Sequence, residues 1–446
     1  MNGFLNYFLE TLQPMANIGF FRALGELMLS ELPEWWLLFA LPFVLSVGSL
    51  IVCWIIYLVK PTLVRPPLPP TPSGTGASEP LVSLVIAGRN ESATIGESIR
   101  AALLCGYPNL EVIFVDDNSE DNSVAIARRA ALSVTRSRWD AERVRIFPSP
   151  RRNGKASSLN IGIRMARGDF IAVTDANTVM SYGCVRHWLR PFFADPRVGA
   201  VCGNCRVLNS NFNLITRLQE CEYALKFTMG RYIQARFNLL NIATGMGSMF
   251  RADIVRDLGG YDTGLGDDTD MTMNIRKQRW KIELDLDAVV WTTVPLTRAH
   301  LWSQRMRWRR NMIKIRVSKH RDQFQLGRYG LANAVLAVLT IVRIFVPTMI
   351  VVGLVVETVI NGPLHYPQIL VAFYWLAVLY TLIKVLLARA VAETPQLLNF
   401  WVVFVYPFYF LWLSFPVLYA QTLELLRIGA HHPYVPDHIW EEIPWW

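Results

Sequence analysis

Charged residues are scarce in this chain of 446 residues, where they make up 18% while hydrophobic residues make up 52%. A chain with so much apolar surface to bury is not intrinsically disordered in its main state. Cysteine is also sparse, with six residues in the whole chain, and this excludes a small scaffold held together by disulfides. The length leaves room for two or three domains.

The few charges are unevenly distributed. Of the 44 Lys and Arg residues, 39 lie between residues 60 and 330, together with 25 of the 35 Asp and Glu residues. This block carries a net charge of +14, which suits a diphosphate ligand and the anionic inner leaflet of a membrane. We expect no nucleic acid partner, because nothing in the sequence resembles a DNA-reading helix or a base-stacking sheet.

Long apolar segments predict four transmembrane helices. Residues 35–59 contain no charge, and a helix of this length crosses a hydrocarbon core of ~30 Å. Three further segments, each with at most one charge, are residues 331–356, 367–388 and 397–423. Residues 1–34 are typical of an amphipathic segment on the membrane surface, with a fifth span as the alternative.

The positive-inside rule sets the orientation of these helices. The basic block should face the cytoplasm, which predicts a multi-pass protein of the plasma (inner) membrane with its large domain inside. Residues 1–34 carry four Glu and one Arg, and the tail 427–446 carries three acidic residues. Both segments therefore fit the outer side.

Between the first and second spans the sequence pattern changes. Residues 60–80 hold seven prolines and are typical of a semi-rigid linker. Residues 81–295 alternate short apolar strands with amphipathic helices, one of which opens at a capping-box pattern formed by Thr94 and Glu97. This order predicts an α/β domain with a mostly parallel sheet and helices on both faces, whose ligands bind beyond the carboxyl ends of the strands. We expect residues 296–328 to form helices at the membrane interface.

Acidic residues stand where several of these strands end: Asp116, Asp117, Asp175, Asp267 and Asp268. Each one alone is weak evidence, since Asp also begins turns and caps helices. Together they fit an enzyme that acts on a nucleotide-sugar. Such an enzyme needs one acid to read the base, another to hold a divalent metal on the diphosphate and a third to deprotonate an acceptor hydroxyl.

One face of a predicted helix combines three functional groups. Gln304, Arg307 and Trp308 fall at i, i+3 and i+4, so an amide, a guanidinium and an indole point the same way. The indole offers a flat apolar platform for a sugar ring. The alternative is an interfacial helix whose Arg and Trp residues serve lipid headgroups.

These motifs resemble those of the membrane-integrated, processive family 2 glycosyltransferases, whose members make cellulose, chitin oligosaccharides, hyaluronan and poly-N-acetylglucosamine. A strand and turn similar to the family's opening segment imply that Arg89, Asn90 and Glu91 bind the nucleotide-sugar. The turn at Asp116 and Asp117 resembles the family's base-reading turn.

Later motifs are similar to the family's catalytic segments. Lys155 stands in a segment that resembles the family's diphosphate-binding lysine segment. Asp268 ends a segment whose last acid is the family's general base. Gln304, Arg307 and Trp308 match the signature of processive synthases, which implies catalytic roles for all three and acceptor binding for Trp308.

A loop of small residues resembles the one beside the acceptor in these synthases. It implies acceptor-binding roles for Gly245, Gly247 and Ser248, because small residues let a sugar approach the backbone. The alternative is an ordinary turn before a strand.

Asp175 and Asn177 stand where the family has a pair of metal-binding aspartates. Asn177 departs from that pattern, since a neutral amide contributes no charge. Mg²⁺ keeps several waters and takes one or two carboxylates plus substrate phosphate, so Asp175 and a diphosphate can suffice for Mg²⁺ or Mn²⁺. The alternatives are a lower metal affinity or a contribution from another acid.

The resemblance implies a GT-A-type nucleotide-sugar-binding domain inserted between transmembrane helices. The implied reaction is an inverting transfer from a UDP-sugar donor to a growing glycan acceptor at the cytoplasmic face of the lipid bilayer. Export would pass through the protein's own helices, with export or accessory subunits as possible further partners. One alternative is addition of a single sugar to a lipid acceptor, and another is a nucleotide-sugar sensor without turnover.

Overall fold

The computed structural model describes residues 79–134, 143–262, 266–325, 327–342, 367–392 and 400–426, together with residues 68, 344 and 359. The chain divides into two compact units, and all features below belong to the unit made of Leu50–Ile344 and Pro367–Trp446. The predicted N-terminal segment 1–34, the span 35–59, most of the linker 60–80 and the tail 427–446 lie outside the described residues.

One sheet organises this unit, with its strands in the order β3-β2-β1-β4-β7-β6-β8-β5. The strands are β1 (Val82–Gly88), β2 (Leu110–Asp116), β3 (Val144–Pro148), β4 (Phe170–Asp175), β5 (Thr178–Met180), β6 (Val198–Val207), β7 (Ser248–Arg251) and β8 (Lys281–Thr292). The first four strands pair in parallel, as do β6 and β8. Strand β7 runs antiparallel to β4 and β6, and β5 runs antiparallel to β8.

Helices connect the strands and extend beyond the sheet. They are α1 (Ile95–Leu103), α2 (Ser123–Val134), α3 (Lys155–Met165), α4 (Cys184–Ala194), α5 (Leu214–Tyr223), α6 (Arg231–Arg236), α7 (Ala252–Asp257), α8 (Asp267–Lys277), α9 (Arg298–Ile313), α10 (Leu331–Val342), α11 (Pro367–Val391) and α12 (Val402–Leu425). Two π-helical segments, Ala224–Gly230 and Lys314–Lys319, continue α5 and α9, and a 3₁₀ turn follows at Arg321–Phe324.

The core lies on both faces of the sheet because the central strands are apolar at nearly every position. In β1, Leu84 and Ile86 belong to the core formed with α1, α2 and α4, whereas Val85 and Ala87 belong to the core formed with α3, α7 and α8. The predicted α/β fold with helices on both faces is therefore confirmed.

The prediction of a mostly parallel sheet is wrong for the second half, where the sheet is mixed. Ser248 at the start of β7 pairs with Val173 near the end of β4 and with Cys202 in β6. The chain leaves β6 at the edge where β4 ends and remains at that edge until β7 begins, so β7 has to run back. The connection contains α5, a π-helical segment and α6, so its sequence pattern resembles that of a parallel crossover and does not reveal the reversal.

The predicted capping box is also wrong in its contacts, although α1 does begin after Thr94. Thr94 makes no side-chain cap bond and instead donates its hydroxyl to Glu91 Oε2 at 2.8 Å. Glu97 accepts from Arg100 at 2.5 Å rather than reaching back to the cap. The nearby carboxylate of Glu91 competes successfully for the hydroxyl.

Among the described residues, two helices are long and apolar enough to cross a membrane, Tyr374–Val391 within α11 and Val402–Leu425. They correspond to the predicted spans 367–388 and 397–423. Helix α10 covers the start of the predicted span 331–356, and most of the remainder of that span lies outside the described residues. Insertion of the α/β domain between transmembrane helices stays a prediction.

Candidate active site

Three parallel strands end at one edge of the sheet. Gly88 at the end of β1 pairs with Asp116 at the end of β2, and its neighbour Ala87 pairs with Asp175 at the end of β4. Because parallel strands present their carboxyl ends at the same edge, the strand-end acids predicted from the sequence meet there.

A cavity of about 540 Å³ opens at this edge. Its lining includes Gly88, Arg89, Glu91, Asp117, Arg152, Lys155, Asp175, Asn177 and Arg307. Four positively charged groups from three separate segments line the cavity together with the carboxylates of Glu91, Asp117 and Asp175. Such a lining is suited to an anionic ligand of diphosphate type.

The two acids at the end of β2 differ in whether they reach this cavity. Asp117 is buried and accepts hydrogen bonds from the backbone N–H groups of Asn153 and Gly154 at 2.7 and 3.0 Å, which fixes the segment that leads into α3. Asp116 is buried as well, but it does not line the cavity and accepts from Ser119 N at 3.0 Å. The structure therefore brings Asp117, and not Asp116, to the cavity surface.

The residues after β1 also differ in whether they line the cavity. Glu91 lines the cavity, and burial is the main cause that raises its pKa above the usual value. Arg89 lines the cavity too and pairs with Glu120 at 2.6 Å. Asn90 has a positive φ of 58° and accepts from Glu120 N at 2.9 Å, so it shapes the turn and does not line the cavity.

Lys155 and Asp175 form the charged centre of the site. Their Nζ and Oδ1 atoms are 2.5 Å apart. Desolvation opposes the charge of Lys155, but the nearby carboxylates of Asp175 and Asp267 outweigh it and raise the pKa of the lysine. Helix α3 begins at Lys155 directly after Gly154, whose φ of 82° lets the chain turn sharply into the helix.

The oxygen atoms of Asp175 and Asn177 fit a hard divalent cation. Both residues lie on the cavity wall two positions apart, and carboxylate and amide oxygens are ligands that Mg²⁺ and Mn²⁺ accept. Asn177 is already oriented, because its Nδ2 donates to Thr293 at 3.1 Å and its Oδ1 accepts from Thr292 at 3.3 Å. With one carboxylate, the pair fits a metal whose remaining ligands are water and substrate phosphate.

A second cavity, of about 380 Å³, adjoins the first. The two cavities share Lys155, Asp175, Asn177 and Arg307. The second cavity adds Asp267 and Asp268 from the start of α8, Gly245 from the loop before β7, and side chains from α9. A phosphate-binding compartment and an acid-lined compartment therefore open onto one another.

Asp268 has the environment of a general base. Its Oδ2 atom accepts from the backbone N–H of Gly245 at 3.3 Å. Burial, and next the neighbouring charge of Asp267, raise the pKa of Asp268 to about 6, while Lys155 acts in the opposite direction. A carboxyl group with a pKa near neutrality is a better proton acceptor than an ordinary aspartate.

The predicted face of α9 lies on the second cavity. Gln304, Arg307 and Trp308 all line it, as their spacing predicted. The Trp308 ring packs edge-on against Phe227 at 6.5 Å between centroids, and the guanidinium of Arg305 lies 4.3 Å from the Trp308 ring. The indole is thus held in place by neighbours on two elements.

The acceptor-loop residues divide between the cavity and the core. Gly245 lines the second cavity, and a Cβ atom there would lie 3.1 Å from Lys155 Nζ. Gly247 instead packs against Val290, where a Cβ would come within 2.7 Å, and Ser248 is fully buried. The structure therefore brings Gly245, but not Gly247 or Ser248, to the cavity surface.

Sequence reasoning missed several residues of the second cavity, among them Tyr223, Phe227 and Arg231. They come from α5, the following π-helical segment and the start of α6. Arg231 is buried and donates to Thr244 at 3.3 Å. A spacing of four residues between successive members is the signal that could have found them.

The sequence match to known proteins covers the same region. Residues 80–311 match the family described as Glycosyltransferase like family 2. The chain is 28% identical over 228 residues to the poly-beta-1,6-N-acetyl-D-glucosamine synthase of Staphylococcus epidermidis, a match that covers 51% of this chain and 53% of that protein. The synthase of the same name from Staphylococcus aureus (strain COL) gives the same identity and coverage. The match therefore spans about half the length of these relatives.

A solved structure with a similar fold is that of the mannosyltransferase PcManGT from Pyrobaculum calidifontis in complex with GDP-Man and Mn²⁺. Its TM-score is 0.57 at 21% identity, over 80% of this chain and 100% of that chain. This likeness shows the fold, which is GT-A-like, with a mixed sheet and flanking helices. Since the matching family covers more than half of the sequence, the chain belongs to glycosyltransferase family 2, as its motifs predicted.

Proposed function

We propose that this protein transfers sugar from a UDP-sugar to a growing glycan with inversion at the anomeric carbon. The observation that carries the proposal is the meeting of two adjoining cavities at Lys155 and Arg307, one basic and the other containing Asp268. A donor diphosphate in the first cavity and an acceptor hydroxyl in the second would meet at that junction. Placing two reactants in such a geometry is a major source of rate enhancement.

On the donor side, the proposed roles follow from position and charge. Glu91 and Asp117 face the nucleoside, with Arg89 and Asn90 forming its turn and Asp116 supporting the loop from beneath. Lys155 and Arg307 stabilise the negative charge that develops on the departing diphosphate. Gln304, beside Arg307 on α9, supplies hydrogen bonds to the sugar or phosphate.

In the transfer step, the acceptor hydroxyl oxygen attacks the anomeric carbon from the face opposite the diphosphate. The new glycosidic bond forms as the bond between that carbon and the diphosphate oxygen breaks, and UDP leaves with the bonding electrons. Asp268 takes the proton of the attacking hydroxyl. A single displacement of this kind inverts the anomeric configuration.

Asp175 and Asn177 would hold the divalent cation, Mg²⁺ or Mn²⁺. When bound, the cation neutralises diphosphate charge and makes UDP a better leaving group. The ion pair with Lys155 keeps Asp175 at the junction of the two cavities.

On the acceptor side, Trp308 provides a platform for the terminal sugar, with Gly245 beside it and Gly247 and Ser248 holding the loop. The relatives named as poly-beta-1,6-N-acetyl-D-glucosamine synthases support an N-acetylglucosamine donor and a polymeric product. The three residues on the face of α9 match the signature of processive synthases, which supports repeated addition over a single transfer.

The apolar helices support work at a membrane. Helix α12 packs against α9, the helix that bears Arg307 and Trp308, and the Trp302 ring on α9 lies 6.0 Å from that of Trp412. With a net charge of +14 on residues 60–330, the catalytic domain lies on the cytoplasmic side of the plasma membrane and the glycan leaves through the spans. Four spans, as the sequence predicts, complete this arrangement.

The test is UDP or GDP release by the purified full chain in detergent, with Mg²⁺ or Mn²⁺ and a panel of donors that includes UDP-N-acetylglucosamine, UDP-glucose and GDP-mannose. Products are sized by mass spectrometry. Turnover with one UDP-sugar and a ladder of long products is the expected result. The Asp268→Asn variant should lose about 100-fold or more of this activity while it still binds donor.

The matched control is Asp257→Asn, which removes an exposed acid at the end of α7 and should leave activity unchanged. A product one sugar longer than a lipid acceptor would replace the proposal by single addition. Donor binding without turnover of any donor would contradict an enzymatic role and favour a sensor.

A further inference from the structure

A third cavity, of about 270 Å³, lies beside the candidate active site. It is enclosed by the end of β6, helix α5, the π-helical segment after it, and Trp291 near the end of β8. Tyr223 lines both this cavity and the cavity that contains Asp268, so its ring forms part of the wall between them. Apart from Tyr223, the residues discussed below have no place in the proposed transfer reaction.

The central feature of this cavity is a buried arginine. Arg206, in β6, lines the cavity with only 4% of its surface exposed. None of its three guanidinium nitrogens has a hydrogen-bond partner among the residues that the structure describes. Burying a guanidinium without partners costs several kcal/mol in general, so such groups are normally satisfied.

The surroundings of Arg206 hold the guanidinium in place without neutralising it. Its Cζ atom lies 5.7 Å from the centre of the Trp291 ring. Glu220 also lines the cavity, but it makes no hydrogen bond to Arg206. Burial lowers the pKa of Arg206 to about 10 and raises that of Glu220 to about 7. The arginine is therefore charged at neutral pH, and its carboxylate neighbour is only partly ionised.

One exposed apolar side chain lines the cavity, and others lie on the loops next to it. Leu208 lines the cavity and is 48% exposed, and the neighbouring Phe212 is 69% exposed. Leu296 lies on the adjacent loop, which is tied to this one by a hydrogen bond from Asn213 Nδ2 to the Leu296 carbonyl at 2.9 Å. Large exposed apolar side chains around a charged pocket are typical of a site for an amphiphilic ligand.

We propose that this pocket binds a phosphate- or carboxylate-type anion, held by the guanidinium of Arg206 beside the Trp291 ring. The planar array of N–H groups can donate to two oxygen atoms of one such group at once. The source of the anion is either a membrane lipid headgroup whose chains cover Phe212 and Leu296, or a free anion of the same chemistry. The site is separate from the donor site and goes beyond the proposed transfer reaction.

The test uses sodium sulfate, a tetrahedral oxyanion whose charge does not change near neutral pH. The full chain in neutral detergent is titrated with sulfate at constant ionic strength, and the midpoint of thermal unfolding is recorded. Wild type should gain about 1–2 °C at a concentration near ten times the dissociation constant. The Arg206→Met variant should gain nothing, whereas Arg197→Met, which removes an exposed arginine just before the same strand, should respond like wild type.

A second variant keeps the test decisive if Arg206→Met does not fold. Glu220→Gln removes the negative charge beside the guanidinium and should tighten sulfate binding several-fold. Native mass spectrometry of protein purified from membranes separates the two sources. A phospholipid retained by wild type and lost in Arg206→Met identifies a lipid headgroup, and sulfate protection without retained phospholipid identifies a free anion.

Three outcomes would overturn the proposal. The first is an equal response to sulfate in wild type and Arg206→Met. The second is no response in wild type together with no retained phospholipid. The third is unchanged sulfate binding in Glu220→Gln, because a bound anion next to Arg206 must sense that charge.

Discussion

Arg305 Nη2 lies 2.7 Å from Glu222 Oε2, and both side chains are almost completely buried. Tyr409 donates its hydroxyl to the same carboxylate oxygen at 2.8 Å. Burial alone would raise the pKa of Glu222, but the charges of Arg305 and Lys226 lower it to about 2. One carboxylate therefore joins α5, α9 and α12.

This contact connects the candidate site to an apolar helix. Arg305 precedes Arg307 and Trp308 on α9, and its guanidinium lies against the Trp308 ring. Any displacement of α12 would therefore act on Trp308, the proposed acceptor platform, through Glu222 and Arg305. We infer that the pair positions Trp308 relative to the predicted span.

Removing one partner of this ion pair should destabilise the protein strongly. In Glu222→Gln the charge of Arg305 remains buried without its counter-ion, which costs about 3–5 kcal/mol. Thermal unfolding of the purified protein in detergent measures the loss. Glu120→Gln, at an exposed ion pair, should change stability by less than about 1 kcal/mol.

The double variant Glu222→Gln with Arg305→Met separates pairing from packing. Since it removes both charges, it should recover most of the stability lost in Glu222→Gln. If the double variant is as unstable as the sum of the two single variants, the ion pair does not account for the effect.

The pH dependence of turnover should report the raised pKa of Asp268. A general base acts in its ionised form, so kcat/KM should fall as the pH drops below about 6 and level off above it. Asp267→Asn removes a charge that raises this pKa and should move the acidic limb to lower pH. An acidic limb near pH 4 in the wild type would contradict the assignment of Asp268.

The raised pKa of Asp268 also predicts that the ionised carboxylate, which activity requires, lowers the stability of the fold. A carboxyl group whose pKa is higher in the folded than in the unfolded state contributes stability at low pH that is lost as the pH rises through the folded pKa. At pH 7 the ionised Asp268 therefore destabilises the fold, and Asp268→Asn should be more stable than wild type by about 1–2 kcal/mol. At pH 4 the two proteins should unfold at nearly the same temperature.

Restoring the second carboxylate of the metal pair should tighten metal binding. In Asn177→Asp the cation would meet two carboxylates instead of one, and we expect about a 10-fold lower dissociation constant for Mn²⁺, measured by electron paramagnetic resonance in the presence of UDP. Asn209→Asp, in a loop outside both candidate-site cavities, is the control. Unchanged Mn²⁺ affinity would remove Asn177 from the metal site.

Truncating Trp308 should affect the acceptor rather than the donor. Trp308→Ala removes the aromatic platform and should raise the acceptor KM or shorten the products about 10-fold, with the donor KM unchanged, whereas Trp308→Phe should keep most activity. Trp302 lies on the same helix but packs against Trp412. The variant Trp302→Ala therefore tests whether the loss of any indole from α9 changes the acceptor KM or the product length. Equal effects of Trp302→Ala and Trp308→Ala would argue for a packing role.

The sequence by itself determined the first half of the fold and much of the candidate site. Strands β1, β2 and β4 are short and apolar, and helices separate them along the chain. This local pattern predicts parallel pairing, which brings Asp117 and Asp175 to one edge. The spacing of Gln304, Arg307 and Trp308 required a common helical face, because helix geometry depends only on local separation.

Only the tertiary structure decided which of these residues reach the cavities. Gly247 and Ser248 resemble their neighbours in sequence, yet they face the core, where Gly247 packs against the distant Val290. Asp116 instead faces its own turn, where it accepts from Ser119 N. The antiparallel course of β7 and the meeting of Glu222 with Arg305 also depend on long-range packing. The periodicity of the sequence predicts which face of its own helix or strand a side chain occupies. The residue that this side chain contacts is determined by how the helices and strands pack.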